Sequence, residues 1–252
     1  LLRVWTLPQG ERNAWKGFSG SSVCFDPRGQ RLLAMDDEGQ PRMMDLMSMQ
    51  ALHMDRLQMP AQHARFTPDG TMVVAAGPSG ISLLQVVDGR LLASFATRGG
   101  SGISNLLISA DGRRTAALTQ RSLHIFSLPE LELVESRKHG APEPTGAAIW
   151  PSAGLRVAGN DGLMHSGGGG GAGQVTSVGG FGTHRLAAHS DRIALWQGNR
   201  RVLEIQTGRS LREVHIDWDG NHILAVPHKG NIEVFDAETG SSVFRPGRET
   251  TG

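Results

Sequence analysis

The chain has 252 residues, a formal net charge of +1, 19% charged residues and 38% hydrophobic residues. A balance this close to neutral gives no global field to favour nucleic acid or a membrane surface, so we expect neither nucleic-acid binding nor membrane insertion. A single cysteine, Cys24, excludes an intrachain disulfide framework and a zinc site made of several cysteines. It lies in a predicted strand, which favours a buried, inert thiol.

Residues 1–17 predict two strands joined by a hairpin turn at Pro8-Gln9-Gly10-Glu11. They correspond only to the second half of the units that follow. We therefore expect the first half of this unit upstream of Leu1, in a longer protein.

The unit at 61–98 shows the repeating pattern most clearly. Its four short apolar runs are separated by turns at Thr67-Pro68-Asp69-Gly70, Gly77-Pro78-Ser79-Gly80 and Asp88-Gly89. Each run is too short for a helix, and proline and glycine favour tight turns between the runs. The pattern predicts one antiparallel sheet of four strands. Such a sheet cannot bury both faces alone and must stack on copies of itself.

The turn glycine of this unit recurs about every 40 residues, which is the period of a propeller blade. The first turns end at Gly29, Gly70, Gly112 and Gly154, which are 41, 42 and 42 residues apart, and then at Gly182, in Gly179-Gly180-Phe181-Gly182, and at Gly220, after steps of 28 and 38 residues. We predict an all-β fold, a β-propeller of four-stranded antiparallel blades. It would form a single domain over 1–252, seven-bladed, with part of one blade missing from the chain. The predicted blades span 1–17 in part, 20–57, 61–98, 102–138, 145–174, 175–208 and 210–246.

The unit at 145–174 contains a glycine-rich run from Gly167 to Gly173, with five consecutive glycines followed by Ala172 and Gly173. Either a flexible linker replaces its outer strands, or this run flanks an omitted disordered insertion; the second is favoured because a half-blade leaves its neighbours uncovered. Gly168, Gly170 and Gly173 formally match a dinucleotide-binding fingerprint. The residues after them are strand-like, whereas that motif needs a following helix, so we predict no cofactor.

The third strands carry a family resemblance, most clearly at Val4-Trp5, at Leu195-Trp196-Gln197 and at Val234-Phe235-Asp236. They resemble the WD40 repeat, whose third strand typically ends in Trp-Asp, although no unit has an intact Trp-Asp and the family's Gly-His pair is not evident. The resemblance implies a scaffold that binds other proteins. It also implies an intracellular place, cytoplasmic or cytoskeleton-associated, in a cytoskeletal, ciliary or centriolar, or trafficking assembly.

Several residues invite a chemical interpretation, and each has a simpler one. Histidines His184 and His189, the pair Asp217 and His222, and His228 lack the spacing of a helical metal motif. The acidic run Asp36-Asp37-Glu38 precedes a turn glycine, where we expect solvated carboxylates rather than an acid–base pair.

Three further patterns are weaker. Gly17-Phe18-Ser19-Gly20 is an incomplete nucleophile-elbow motif. Paired arginines occur without the interleaved aromatic residues of a nucleic-acid interface; these are Arg113, Arg114, Arg200 and Arg201. A methionine-rich stretch favours core packing, with an adaptable partner-binding edge as the alternative; it comprises Met43, Met44, Met47, Met49, Met54 and Met59.

Two functions are therefore open. The first is a non-catalytic protein–protein interaction scaffold, with no catalytic, cofactor-binding or metal-binding residues. The second is a propeller enzyme with a metal or carboxylate site in its central channel. The first is favoured, because the aligned first-strand positions are mainly apolar or small rather than Asp, Glu or His.

Overall fold

The computed structural model describes residues 2–6, 10–15, 20–97, 102–109, 111–138, 144–150, 154–159, 164–165, 175–181, 184–189, 191–197, 200–217 and 219–244. The fold is an all-β propeller of antiparallel sheets, which confirms the predicted fold class. The chain divides into two compact units, here called the terminal unit (Leu1–Lys16 with Gly140–Gly252) and the central unit (Gly17–His139). The single domain and the count of seven blades stay predictions.

The chain begins with a two-stranded sheet in the terminal unit, formed by β1 (Leu2–Thr6) and β2 (Gly10–Trp15). The central unit follows with three sheets of four strands each, paired in chain order. Their strands are β3 (Gly20–Phe25), β4 (Arg31–Asp36), β5 (Pro41–Asp45), β6 (Ala51–Leu52), β7 (His63–Phe66), β8 (Met72–Gly77), β9 (Gly80–Gln85), β10 (Leu91–Ala96), β11 (Ile103–Ile108), β12 (Arg114–Thr119), β13 (Ser122–Ser127) and β14 (Leu133–Lys138).

The terminal unit continues with a three-stranded sheet and two four-stranded sheets, as far as the described residues show. Their strands are β15 (Pro144–Trp150), β16 (Gly154–Gly159), β17 (Met164–His165), β18 (Val175–Phe181), β19 (His184–His189), β20 (Arg192–Gln197), β21 (Arg200–Gln206), β22 (Leu211–Ile216), β23 (His222–Pro227), β24 (Glu233–Asp236) and β25 (Ser242–Phe244).

Neighbouring sheets bury each other's faces. In the central unit β7 contacts both β3 and β11, and in the terminal unit β18 contacts both β15 and β22. Leu106 on β11 packs in one core with Val74 and Leu83 of the preceding sheet. Val214 on β22 packs in the same way with Leu195 of the sheet before it. Because each sheet is apolar on two faces, this stacking supplies the burial that a single sheet lacks.

Two predicted turns are wrong in their extent. In the predicted turn at 8–11, Gly10 and Glu11 belong to β2 and pair with Thr6 and Trp5 on β1. Gly179, Gly180 and Phe181 belong to β18 and pair with Leu186, Arg185 and His184 on β19. The register of this strand pair holds the glycines extended, although their sequence is typical of a turn. The glycine-rich run Gly167–Gly173, with its fingerprint glycines Gly168, Gly170 and Gly173, lies outside the described residues.

Candidate binding face of the central unit

The first turn of each sheet in the central unit has one recurring geometry. The amide of Gly29 donates to the Asp26 carbonyl at 3.0 Å, and the amide of Gly70 donates to the Thr67 carbonyl at 2.9 Å. Both glycines have positive φ, 65° and 72°. This left-handed conformation is the reason that glycine recurs at this position, because other residues adopt it at a cost.

Two different side-chain arrangements close these turns. At Asp26 a single carboxylate oxygen accepts hydrogen bonds from the amides of Gln30 and Arg31, at 2.7 and 2.9 Å. Asp217 in the terminal unit uses the same arrangement with Asn221 and His222. An aspartate in the first position of the turn is therefore enough to hold the following strand in register.

In the second arrangement, the side chains of two residues, Thr67 and Asp69, together form the hydrogen bonds that close the turn. The Thr67 hydroxyl accepts from the Met72 amide at 3.1 Å and donates to the Asp69 carboxylate at 2.5 Å. Asp69 also accepts from the amide and the hydroxyl of Thr71. Burial raises the pKa of Asp69, but these hydrogen bonds outweigh it, so the pKa lies below its ordinary value.

The third turn of each sheet lies at the same end as the first. The amide of Leu46 donates to the Gln30 carbonyl, and the amide of Val86 donates to the Thr71 carbonyl, both at 2.9 Å. First and third turns therefore form one continuous surface. We call it the turn face and define it by segments 26–31, 45–50, 67–72 and 85–90.

A cavity of about 410 Å³ opens on the turn face between the first two sheets of the central unit. Its walls come from the turn at Asp26, the turn at Asp69 and the third turn at Val86 and Val87. Its volume falls in the range of ligand-binding pockets, about 300–1,000 Å³. One turn of the first sheet and two turns of the second sheet thus converge on one concave site.

The acidic and the basic side chains around this cavity differ in how many hydrogen bonds they form. Asp26 is buried and bound to backbone amides, and Asp69 is bound to Thr67 and Thr71. The guanidinium groups of Arg28 and Arg31, which also line the cavity, form no hydrogen bond or salt bridge within the described residues, and the charge of Arg31 acts on the Asp45 carboxylate. The donors still available at the site are therefore cationic.

Large apolar side chains stand exposed at the tips of the third turns. Met47 is 88% exposed and Val87, on the cavity wall, is 77% exposed. The methionine-rich stretch thus divides in two: Met43 and Met44 on β5 are buried, as core packing predicts, whereas Met47 and Met49 are exposed, as the partner-binding alternative predicts. Met54 and Met59 are half-buried.

The acidic run closes a turn of its own. The Asp36 carboxylate accepts from the amides of Glu38 and Gln40 and from Arg42 Nε, at 3.0, 2.8 and 2.9 Å. Burial raises the pKa of Asp36, but these hydrogen bonds and the charge of Arg42 outweigh it, so the pKa lies below its ordinary value. The Glu38 carboxylate forms a salt bridge with Arg56 at 3.1 Å.

The histidines are distributed rather than gathered. His222 Nδ1 lies 2.7 Å from Asp217 Oδ2, so the structure brings this predicted pair together. His184 and His189 are the two ends of β19, and His228 is exposed after β23. Among the described residues no three His, Cys, Asp or Glu side chains are grouped to hold a metal ion.

The two arginine pairs and Gly20 of the elbow motif lie at the starts of different strands. Arg113 and Arg114 precede and begin β12, and Arg200 and Arg201 begin β21. Arg201 forms a salt bridge with Glu204 at 2.5 Å, which Arg192 also approaches at 3.4 Å. Of the elbow motif, Gly20 begins β3, while Gly17, Phe18 and Ser19 lie outside the described residues.

The Cys24 thiol contacts the neighbouring sheet, where its Sγ donates to the Ala64 carbonyl at 3.5 Å. Burial raises the pKa of this thiol to about 11. The expectation of a buried thiol is therefore confirmed at Sγ, although the residue as a whole is only half-buried.

Sequence reasoning missed the cavity. The adjacent turns Asp26-Pro27-Arg28-Gly29 and Thr67-Pro68-Asp69-Gly70 were recognised as copies, and the structure brings them to one site. Pro27 lies against Gly70, where an added Cβ would be 3.3 Å from the proline ring. Comparing the third positions of the aligned turns, Arg28 and Asp69, would have indicated the charged residues around the cavity.

Within the described part of the chain, no helix has the length and hydrophobicity that crossing a membrane requires. No protein-family model matches the sequence, and no curated protein does either. Among solved structures the chain is similar to U3-55K, a WD40 propeller protein, with a TM-score of 0.71 and 11% sequence identity. The match covers 92% of this chain and 83% of U3-55K. At this low identity, the structural similarity shows a shared propeller fold and nothing more.

Proposed function

We propose that this chain is a non-catalytic scaffold that binds other proteins through the turn face of its central unit. The observation that carries the proposal is the exposure of Val87 on the wall of the cavity, together with the exposure of Met47 in another turn of the same face. Apolar side chains exposed next to a concave, charged site are typical of protein-binding surfaces. The propeller fold supports the proposal, because its stacked sheets hold many turns rigidly at one end.

The carboxylates of the turn face favour binding over acid–base catalysis. An acid–base pair needs two groups whose environments separate their pKa values. The pKa of Asp69 and that of Asp45 both lie below their ordinary values, Asp45 chiefly through hydrogen bonds from Ser48. Both groups are therefore ionised near neutral pH and occupied by their own turns, so neither is held in reserve as a proton donor.

A site-specific photocrosslinker at Val87 tests the proposal in cell lysate of the source organism. The matched control is Val134 on β14, another exposed valine of the same unit. We expect defined protein adducts from position 87 that are absent from position 134. Equal adduct patterns from both positions would contradict a binding role for the turn face.

The competing enzyme proposal has its own measurement. Metal analysis of the purified chain is expected to give no stoichiometric metal, and stoichiometric metal would favour the propeller-enzyme alternative. The identity of the crosslinked proteins tests the finer proposal of an intracellular cytoskeletal, ciliary or centriolar, or trafficking assembly.

A further inference from the structure

The cavity on the turn face combines available cationic donors with an apolar rim. Arg28 and Arg31 line it, and Val87 stands at its wall with most of its surface exposed. The two carboxylates that share the cavity are engaged by backbone amides and by threonine hydroxyls. A ligand would therefore meet guanidinium N–H groups and an isopropyl group.

From this arrangement we infer that the cavity receives an acidic side chain of a partner protein, next to an apolar side chain that packs on Val87. This inference rests on the proposed function and names the chemistry of its partner. Guanidinium groups bind carboxylates through charge-assisted hydrogen bonds, which are stronger than neutral ones. The hydrogen bonds from Ser48 and Met47 are the main causes that lower the pKa of Asp45, and the charge of Arg31 lowers it further by a smaller amount.

The engaged carboxylates explain why a cationic ligand is not expected. The Asp26 oxygen that accepts two amides, at 2.7 and 2.9 Å, closes the turn that begins at Asp26. Asp69 is held in a similar way by Thr67 and Thr71. A lysine or arginine entering the cavity would be repelled by Arg28 and Arg31, and it would compete for Asp26 and Asp69 with the hydrogen bonds that these carboxylates already accept.

The probe is a fluorescein-labelled peptide of about ten residues that alternates glutamate and leucine, titrated against the full chain by fluorescence anisotropy. Matched peptides carry glutamine or lysine in place of glutamate. We expect the glutamate peptide to bind with a Kd of about 10–100 μM and the glutamine peptide to bind at least about tenfold more weakly. Higher salt should weaken binding of the glutamate peptide, because the rim charges are exposed.

Two variants locate the binding. The double variant Arg28→Gln with Arg31→Gln should weaken binding by about tenfold or more. The control Arg121→Gln changes an exposed arginine at the opposite end of the same unit, in the turn between β12 and β13, and should leave the affinity unchanged. Unchanged melting temperatures would show that both variants are folded.

Equal binding of the glutamate and glutamine peptides, equal loss in both arginine variants, or no binding at about 1 mM would overturn this inference. Displacement of the peptide by inorganic phosphate at equal concentration would also overturn it and indicate a phosphate ligand. Crosslinks at position 87 together with any of these results would leave the proposed function standing. Loss of the crosslinks would instead remove the proposed function itself.

Discussion

The first strand β3 and the first strands β7, β11 and β22 occupy the same place in their sheets but differ sharply in burial. Val23 on β3 lies three residues before its turn and is 39% exposed, whereas Leu106 and Val214 at that position are buried. Phe25 and Phe66 are the same residue at the same position, and they are 42% and 0% exposed. The same residue type at the same repeat position is therefore buried to different degrees in different sheets.

The largest expected effect comes from the two phenylalanines. Phe66→Ala should lower the free energy of unfolding by about 3–5 kcal/mol, because it leaves a cavity in a closed core. Phe25→Ala should lower it by less than about 1 kcal/mol, because the side chain is half in solvent. Chemical denaturation of both variants measures the difference. Equal losses would show that the two strands are covered alike.

A second comparison concerns a turn position that is glycine in some sheets. Met49 and Leu131 have positive φ, 58° and 57°, where Gly89 and Gly240 have 72° and 74°. Leu131→Gly should destabilise the protein by about 2 kcal/mol, because the loss of a buried side chain exceeds the relief of backbone strain.

Met49→Gly should have a much smaller effect than Leu131→Gly. It relieves the same backbone conformation but gives up the partial burial of a side chain that is 37% exposed, so we expect a change within about 1 kcal/mol in thermal or chemical unfolding. Destabilisation as large as that of Leu131→Gly would show that this side chain packs more closely than its exposure indicates.

The Cys24 side chain lies on the face of β3 that contacts the sheet containing Ala64. Its raised pKa, about 11, should slow reaction with a disulfide reagent about 100-fold at pH 8 relative to an ordinary thiol. The unfolded thiol ionises near 9, so the native state holds its proton through the interval up to about 11. The free energy of unfolding should therefore fall as pH rises through that interval.

The control Cys24→Ala should remove that part of the pH dependence. A fast reaction of native Cys24, complete within seconds of mixing, would contradict burial of the thiol. It would also weaken the distinction between the two faces of β3.

Local sequence was sufficient for the strands and turns. The pattern around Thr67-Pro68-Asp69-Gly70 predicts the sheet β7–β10, because turn glycines and short apolar runs are properties of adjacent residues. It was insufficient for Gly179–Phe181, where pairing with β19 overrides the preference of glycine for turns.

The candidate site could be predicted only in part. Met47 was recognised as a possible partner-binding residue, but Arg28 and Val87 were not, because they are far apart in sequence and meet only when two sheets stack. The same limit applies to Phe25 and Phe66: identical residues at identical repeat positions cannot reveal which of them is buried.

The central claim is that the turn face of the central unit binds protein. Hydrogen–deuterium exchange of the chain, alone and with a partner identified by crosslinking at Val87, tests it most directly. We predict slower exchange in segments 26–31, 45–50, 67–72 and 85–90, with β14 unchanged. Protection confined to β10 and β14, with unaltered exchange in those four segments, would contradict the claim.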